Sequence, residues 1–204
     1  MTMPTLYHAP FSRSTTLLVL IEEMGLTDRI ELCEVAVTRR DGSGGPDPRN
    51  PHPEGKVPYL VDGTDALSER GAILTYLTDR FPEAGMGCPV GDPQRGAFLG
   101  WLFYYQGVME PVLVLDEAGC DHPVLRATFR DMGAVTARLE AALARGPYLL
   151  GARYTAVDLL LSSPFHVMPE AIPDRPAIRD WIRRCAARPA VAAVTAREMA
   201  TLAG

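Results

Sequence analysis

Three short segments carry residue types that could do chemistry. Pro10-Phe11-Ser12-Arg13-Ser14-Thr15-Thr16 places hydroxyls where a strand gives way to a helix. Hydroxyls there can cap free backbone N–H groups or, with the positive end of the helix, stabilise an anion. Ser12 and Ser14 are both candidates for that hydroxyl, and either could equally be an N-cap. The turn has no cysteine, so a thiol nucleophile of the protein's own is missing. Gly55-Lys56-Val57-Pro58-Tyr59-Leu60 opens a strand on a proline. A cis Val57-Pro58 bond would turn the backbone N–H and C=O of Val57 into a cleft, where an extended peptide could pair with them; a plain trans turn is the ordinary alternative. Ser68-Glu69-Arg70-Gly71-Ala72-Ile73 opens a helix. Its carboxylate can take an ammonium group, and Arg70 with the helix-end N–H groups can take a carboxylate, which together match an amino-acid head group. His8, His122 and His166 have no Ser or Asp partner recognisable nearby in sequence and are read as packing or surface residues.

The elements that would position these segments follow from periodicity. Thr5 to His8 is β-prone and stops at Pro10, after which Leu17, Leu18, Leu20, Ile21 and Met24 recur at helical spacing as far as Gly25. Ile30 to Val37 reads as a second strand, parallel to the first by the crossover rule. The density of Gly and Pro from Arg39 to Gly55 predicts a long loop with at most one helical turn. Val57 to Val61, Asp62-Gly63, and Ala66-Leu67 read as a β-hairpin, followed by a helix marked by Ala72, Ile73, Tyr76 and Leu77. Phe81 to Asp92 is rich in Pro and Gly and reads as a linker. Everything beyond is helical in pattern. Phe98 to Tyr105 forms an aromatic segment, most simply core or subunit interface, that Pro111 should kink or end, and Leu125, Phe129, Met132, Leu139 and Leu143 continue at helical intervals. Thr155 with Asp158 forms a capping box, Tyr154 with Leu159 a hydrophobic staple, and Ile178, Trp181, Ile182 and Cys185 line one helix face.

Composition narrows the function classes. The 204 residues are 47% hydrophobic and 22% charged with a formal net charge of -5, which describes a soluble globular chain. Twenty Lys plus Arg face twenty-five Asp plus Glu without a basic block, so neither nucleic acid nor an anionic membrane is an expected partner. Cys33, Cys88, Cys120 and Cys185 stand too far apart for a metal site or a CxxC pair, as scattered thiols in a reducing cytoplasm would. The N-terminus has no leader pattern and no apolar run approaches a bilayer span, so a complete, cytoplasmic protein is expected.

The Ser-bearing turn, GKVPYL and SERGAI, in this order and spacing, resemble the glutathione transferase family. Gly151 to Asp158 is similar to that family's capping-box helix, and Trp181 through Arg188-Pro189-Ala190 to its terminal helix, so the resemblance spans essentially the whole chain. It implies an α/β thioredoxin-like N-terminal domain at residues 1–80, a linker at 81–91 and an all-α helical-bundle domain at 92–204. It further implies glutathione as co-substrate, no metal, a homodimer, and attack of the glutathione thiolate on a small apolar electrophile. Residue by residue, Ser12, with Ser14 as its competitor, would hydrogen-bond the sulfur, and Val57 ahead of Pro58 would pair with the cysteinyl backbone. Glu69 with Arg70 would hold the γ-glutamyl end, while His52 and Lys56 would face the glycyl carboxylate. Tyr105 or Met109 would line the electrophile pocket. A glutathione-dependent isomerase, dehalogenase or peroxidase on the same fold stays open, as does a non-catalytic glutathione- or ligand-binding protein.

Overall fold

A computed structural model describes residues 3–201. β1 (Thr5–His8) alternates half-buried and buried positions, so Leu6 and His8 turn inward. Leu17, Leu18, Leu20 and Ile21 make α1 (Thr15–Glu23) almost wholly buried. β2 (Glu31–Glu34), shorter than the run from Ile30 to Val37 suggests, pairs parallel with β1. β3 (Tyr59–Asp62) pairs antiparallel on the other side of β1, and β4 (Asp65–Leu67) follows it, giving the order β2-β1-β3-β4. The expected hairpin closes through Gly63-Thr64 with Asp62 opposite Asp65, and Gly63 takes a left-handed φ of 62°. α2 (Arg70–Arg80) follows and packs against α1. Buried Asp62 accepts the Tyr76 hydroxyl at 2.8 Å and pairs with Arg80.

The segment between β2 and β3 has no helical turn, and polar side chains shape it instead. Asp47 accepts the Ala36 N–H at 3.0 Å and pairs with Arg49, while the Asn50 amide donates to the Lys56 carbonyl at 3.1 Å. The Val57-Pro58 peptide is cis.

The described residues form two compact units, one running to Gly85 and resuming at Pro189, the other from Met86 to Arg188. The sequence reading places residues 92–204 together. The difference is α9 (Pro189–Thr201), which packs against α1 and belongs to the first unit. In the second unit, α3 (Arg95–Tyr104) runs through a π turn (Tyr105–Met109) into α4 (Glu110–Glu117). Pro111 therefore neither ends nor breaks this run. The Glu110 N–H reaches back to the Tyr105 carbonyl, and this wider turn just ahead of Pro111 adjusts the ladder where the proline lacks an N–H. Arg95–Glu117 has the length and apolarity of a membrane span, with a mean hydropathy of 1.2. It packs on other helices of its unit with 33% of its apolar stretch buried, so by length and hydropathy the expectation that nothing approaches a bilayer span does not hold.

α5 (Pro123–Phe129) and α6 (Met132–Leu143) are separate helices, because Arg130 takes a φ of 68° and Asp131 caps α6, accepting the Ala134 N–H at 2.9 Å. α7 (Ala156–Val167) starts on the expected capping box: Thr155 accepts the Val157 N–H at 3.3 Å and Asp158 accepts the Thr155 N–H at 3.1 Å. Asp158 is also the acceptor for the Leu149 N–H at 2.9 Å and for the Trp181 indole of α8 (Pro176–Ala186) at 3.0 Å. Burial pushes this carboxyl up, and these three donors together with the Thr155 hydroxyl, at 3.4 Å, pull against it. Asp158→Ala would strand the indole and two backbone donors in the interior. It should lower unfolding free energy by about 3 kcal/mol or more, and Asp158→Asn by about half as much, read as shifts in the urea midpoint.

Candidate functional site

The turn after β1 is organised around a buried carboxylate from the far end of the sequence. Strand alternation sends His8 inward, to 2% exposure. Ala9 and Pro10 end the strand, and Phe11 takes a φ of 54°, which leaves its ring in solvent while its N–H donates to Glu198 Oε2 at 3.1 Å. Glu198 Oε1 accepts the Thr15 hydroxyl at 2.7 Å and lies 3.3 Å from His8 Nε2. The Thr15 hydroxyl in turn accepts the Ser12 N–H at 3.3 Å. On the other side of the imidazole, Nδ1 is 2.7 Å from Ser14 Oγ, which accepts the Ala9 N–H at 3.2 Å. Ser12 Oγ is 2.6 Å from Ser14 Oγ and accepts the Ser14 N–H at 3.1 Å. The result is a continuous chain, Glu198, His8, Ser14, Ser12.

Its proton positions follow from what each atom can do. A carboxylate only accepts, so His8 Nε2 carries a proton toward Glu198; in the neutral form of the ring, Nδ1 then accepts from Ser14. Ser14 Oγ also lies 3.4 Å from the Ala9 carbonyl, but the shorter contact to His8 takes its hydrogen. With the Ala9 N–H on one lone pair, Ser14 has one left for the Ser12 hydroxyl. Ser12 Oγ, after accepting the Ser14 N–H, keeps one lone pair for a ligand. Burial pushes the Glu198 carboxyl up, but hydrogen bonds from His8, Thr15 and the Phe11 N–H together outweigh it and hold the group below its ordinary value of 4.5.

Ser14 makes no side-chain cap on α1, and it is fully buried. Ser12 is half-buried, so of the two serines it is the one with solvent-facing surface. Glu69 is exposed and holds φ 68°, ψ 124° at the start of α2, a left-handed conformation that costs a non-glycine residue about 1–3 kcal/mol. Arg70 beside it is buried. Val57 is half-buried ahead of buried Pro58. His52 and Lys56 serve their own loop: His52 Nδ1 accepts the Glu54 N–H at 2.9 Å, its ring edge meets Tyr59 with centroids 5.1 Å apart, and Lys56 pairs with Glu54. Tyr105 and Met109 sit on the π turn of the other unit, both buried. A cleft of about 560 Å³ borders the turn through Pro10 and Phe11 and carries Arg39 and Arg49, but Ser12, Val57, Glu69 and Arg70 do not line it.

Two residues of the constellation escape sequence reading. His8 reads as packing because its Glu partner is 190 positions away, but it does have a serine partner nearby, Ser14, six positions on. Glu198 does leave a signal: the buried face of α9 is Ala190, Val194 and Glu198, at i, i+4 and i+8, so a carboxylate interrupts an apolar stripe.

Residues 6–85 match the family model of the glutathione S-transferase N-terminal domain. A glutathione transferase from Methylococcus capsulatus strain Bath is 30% identical, with a TM-score of 0.73 over 96% of this chain and 98% of that one. A sphingomonad glutathione S-transferase, solved with glutathione, is 25% identical, with a TM-score of 0.74 over 95% of this chain and 98% of that one. The disulfide-bond oxidoreductase YfcG of Escherichia coli K12 is 26% identical over 92% of each chain. Across curated relatives the match covers from 60% to 92% of their own length.

A carboxyl held below its ordinary value stabilises the fold fully above that value and loses the contribution as pH falls through the lowered one. Glu198→Gln should therefore cost about 1.5–3 kcal/mol near neutral pH. The gap between variant and wild type should shrink steadily as the pH drops below 4.5, in urea titrations run side by side.

Proposed function

We propose, for a chain that belongs to the glutathione transferase family, that it binds glutathione on the first unit and delivers the thiolate to a small apolar electrophile. The observation that carries this reading is Ser12: a half-buried serine in the turn leading into α1, backed by a hydrogen-bonded chain, with one lone pair left for a ligand. Val57 would pair with the cysteinyl backbone ahead of Pro58, and Glu69 would take the γ-glutamyl ammonium, an exposed carboxylate fixed in a strained backbone at a helix start. Buried Arg70 would support that end from beneath. The chain would work as a homodimer, for which Phe103 on α3, 75% exposed, offers contact area; Tyr105 and Met109, buried in the second unit, present no surface to an electrophile.

The chemical gain has a definite ceiling. A free thiol of pKa about 8.5 is about 3% ionised at pH 7, and lowering it by about two units raises this to about three quarters, a gain of about 25-fold. A thiolate of lower basicity is also a weaker nucleophile, so positioning of the electrophile must supply the rest. The E. coli relative favours a second reading, thiol–disulfide exchange. With no cysteine in the turn, that reaction would use bound glutathione as its thiolate.

Ser12→Ala should raise the pKa of bound glutathione by about one to two units while leaving its affinity at low pH little changed, in a thiolate absorbance titration. Glu69→Gln should weaken binding by about 1.5–3 kcal/mol by calorimetry. Unchanged values in both variants would place the thiol and the γ-glutamyl end elsewhere. Products formed from aryl halides and from disulfides separate the two reactions.

A further inference from the structure

We propose that His8 is the proton acceptor for the glutathione thiol, reached through the Ser12 and Ser14 hydroxyls, and that Glu198 holds and neutralises the imidazolium that results. The inference rests on the reading of Ser12 as the hydroxyl that meets the sulfur. His8, Ser14 and Glu198 touch no substrate and act through Ser12, so they are positioning residues.

The observation behind it is that the chain can be drawn in two directions without leaving a partner unmade. In the first, Ser12 donates to Ser14, Ser14 donates to His8 Nδ1, and the thiol donates to the remaining lone pair of Ser12. When the S–H bond breaks, its proton joins Ser12 Oγ, the proton of Ser12 passes to Ser14, and that of Ser14 passes to Nδ1. In the second, His8 donates to Ser14, Ser14 donates to Ser12, and Ser12 donates to the thiolate. The backbone N–H groups of Ala9 and Ser14 keep their acceptors in both directions. A thiol and a neutral imidazole have become a thiolate and an imidazolium, with no proton gained or lost. After an electrophile consumes the thiolate and expels an anion, the proton leaves with that anion and the ring is neutral again.

The surroundings favour this end point. An imidazolium at 2% exposure would be costly alone, but Nε2 faces a buried carboxylate at 3.3 Å whose other bonds, from Thr15 and the Phe11 N–H, keep it ionised. Other charged groups stand on the elements packed about β1. β2 brings exposed Glu34 opposite His8 in register, β3 brings Asp62, which is taken by Tyr76 and Arg80, and Arg197 of α9 pairs with Glu22 of α1 at 3.1 Å. A serine cannot hold a thiol proton at neutral pH; a His–carboxylate pair behind it can.

The test counts protons rather than turnover. Glutathione is bound near pH 7 in two buffers of different ionisation enthalpy, thiolate is measured by its absorbance, and the ring nitrogens of 15N-labelled His8 are followed by NMR. With the relay, thiolate forms with far less than one proton released per thiolate, and His8 changes from neutral ring to imidazolium on binding. S-methylglutathione should bind without changing His8. His8→Asn, which keeps a partner for Ser14 but cannot hold a proton, should release one proton per thiolate and raise the pKa of the bound thiol. Ser14→Ala, which cuts the chain and leaves His8 with Glu198, should do the same and serves if His8→Asn does not fold. One proton released per thiolate by the wild type, or a His8 that stays neutral or is already charged before binding, overturns the relay while leaving the proposed function intact. No glutathione binding overturns both.

Discussion

An ionised carboxylate in a protein interior is costly unless donors surround it, and Glu198 is buried with three: the His8 ring, the Thr15 hydroxyl and the Phe11 N–H. Those donors belong to the end of β1, the turn and the start of α1, so a single group on α9 fixes the relative placement of all three. The positive φ of Phe11 makes sense in this light. It swings a backbone N–H inward to the carboxylate, and the exposed ring is the cost of doing so. Ser12 and Ser14 inherit their orientation from the same group, one through the Thr15 hydroxyl and the other through the imidazole.

The second unit is built on the same device with a different readout. Asp158 collects the Thr155 and Leu149 N–H groups and the Trp181 indole, tying the start of α7 to the preceding turn and to α8. Each of its bonds is local or structural, and none ends on a titratable ring. Glu198 and Asp158 are thus both buried acids satisfied by backbone and side-chain donors, yet only the first reaches through histidine to a hydroxyl with exposed surface. The chemistry of a buried carboxylate is set less by its own burial than by what its donors touch next.

Much of this was legible before any coordinates. The βαβ, loop, ββα order, the hairpin at Asp62-Gly63 and the Thr155–Asp158 box all rest on local spacing, and the structure contains each of them, while Val57-Pro58, open to either isomer from its residues, is cis. Local rules fail where a bond spans the chain. The carboxylate partner of His8 lies 190 positions away, and α9 continues the helical pattern of the second half while packing on α1 in the first. Pro111 misleads for another reason: a proline is usually read as an end, but a π turn ahead of it absorbs the missing N–H. Asp131 was readable as an N-cap and would have divided α5 from α6, had residue type been weighed above periodicity.

The bond from the Phe11 N–H to Glu198 spans 187 positions. A ribosome adding about 5–20 residues per second needs about ten to forty seconds to make that stretch. Throughout this interval the strand, the serine turn and the first helix exist without the carboxylate that orders them. A nascent chain can thus build its sheet early, but its working turn stays unfinished until residue 198 has been made and α9 can dock. Completion of the turn is tied to translation of α9, so partial products would carry a recognisable fold and an unfinished turn.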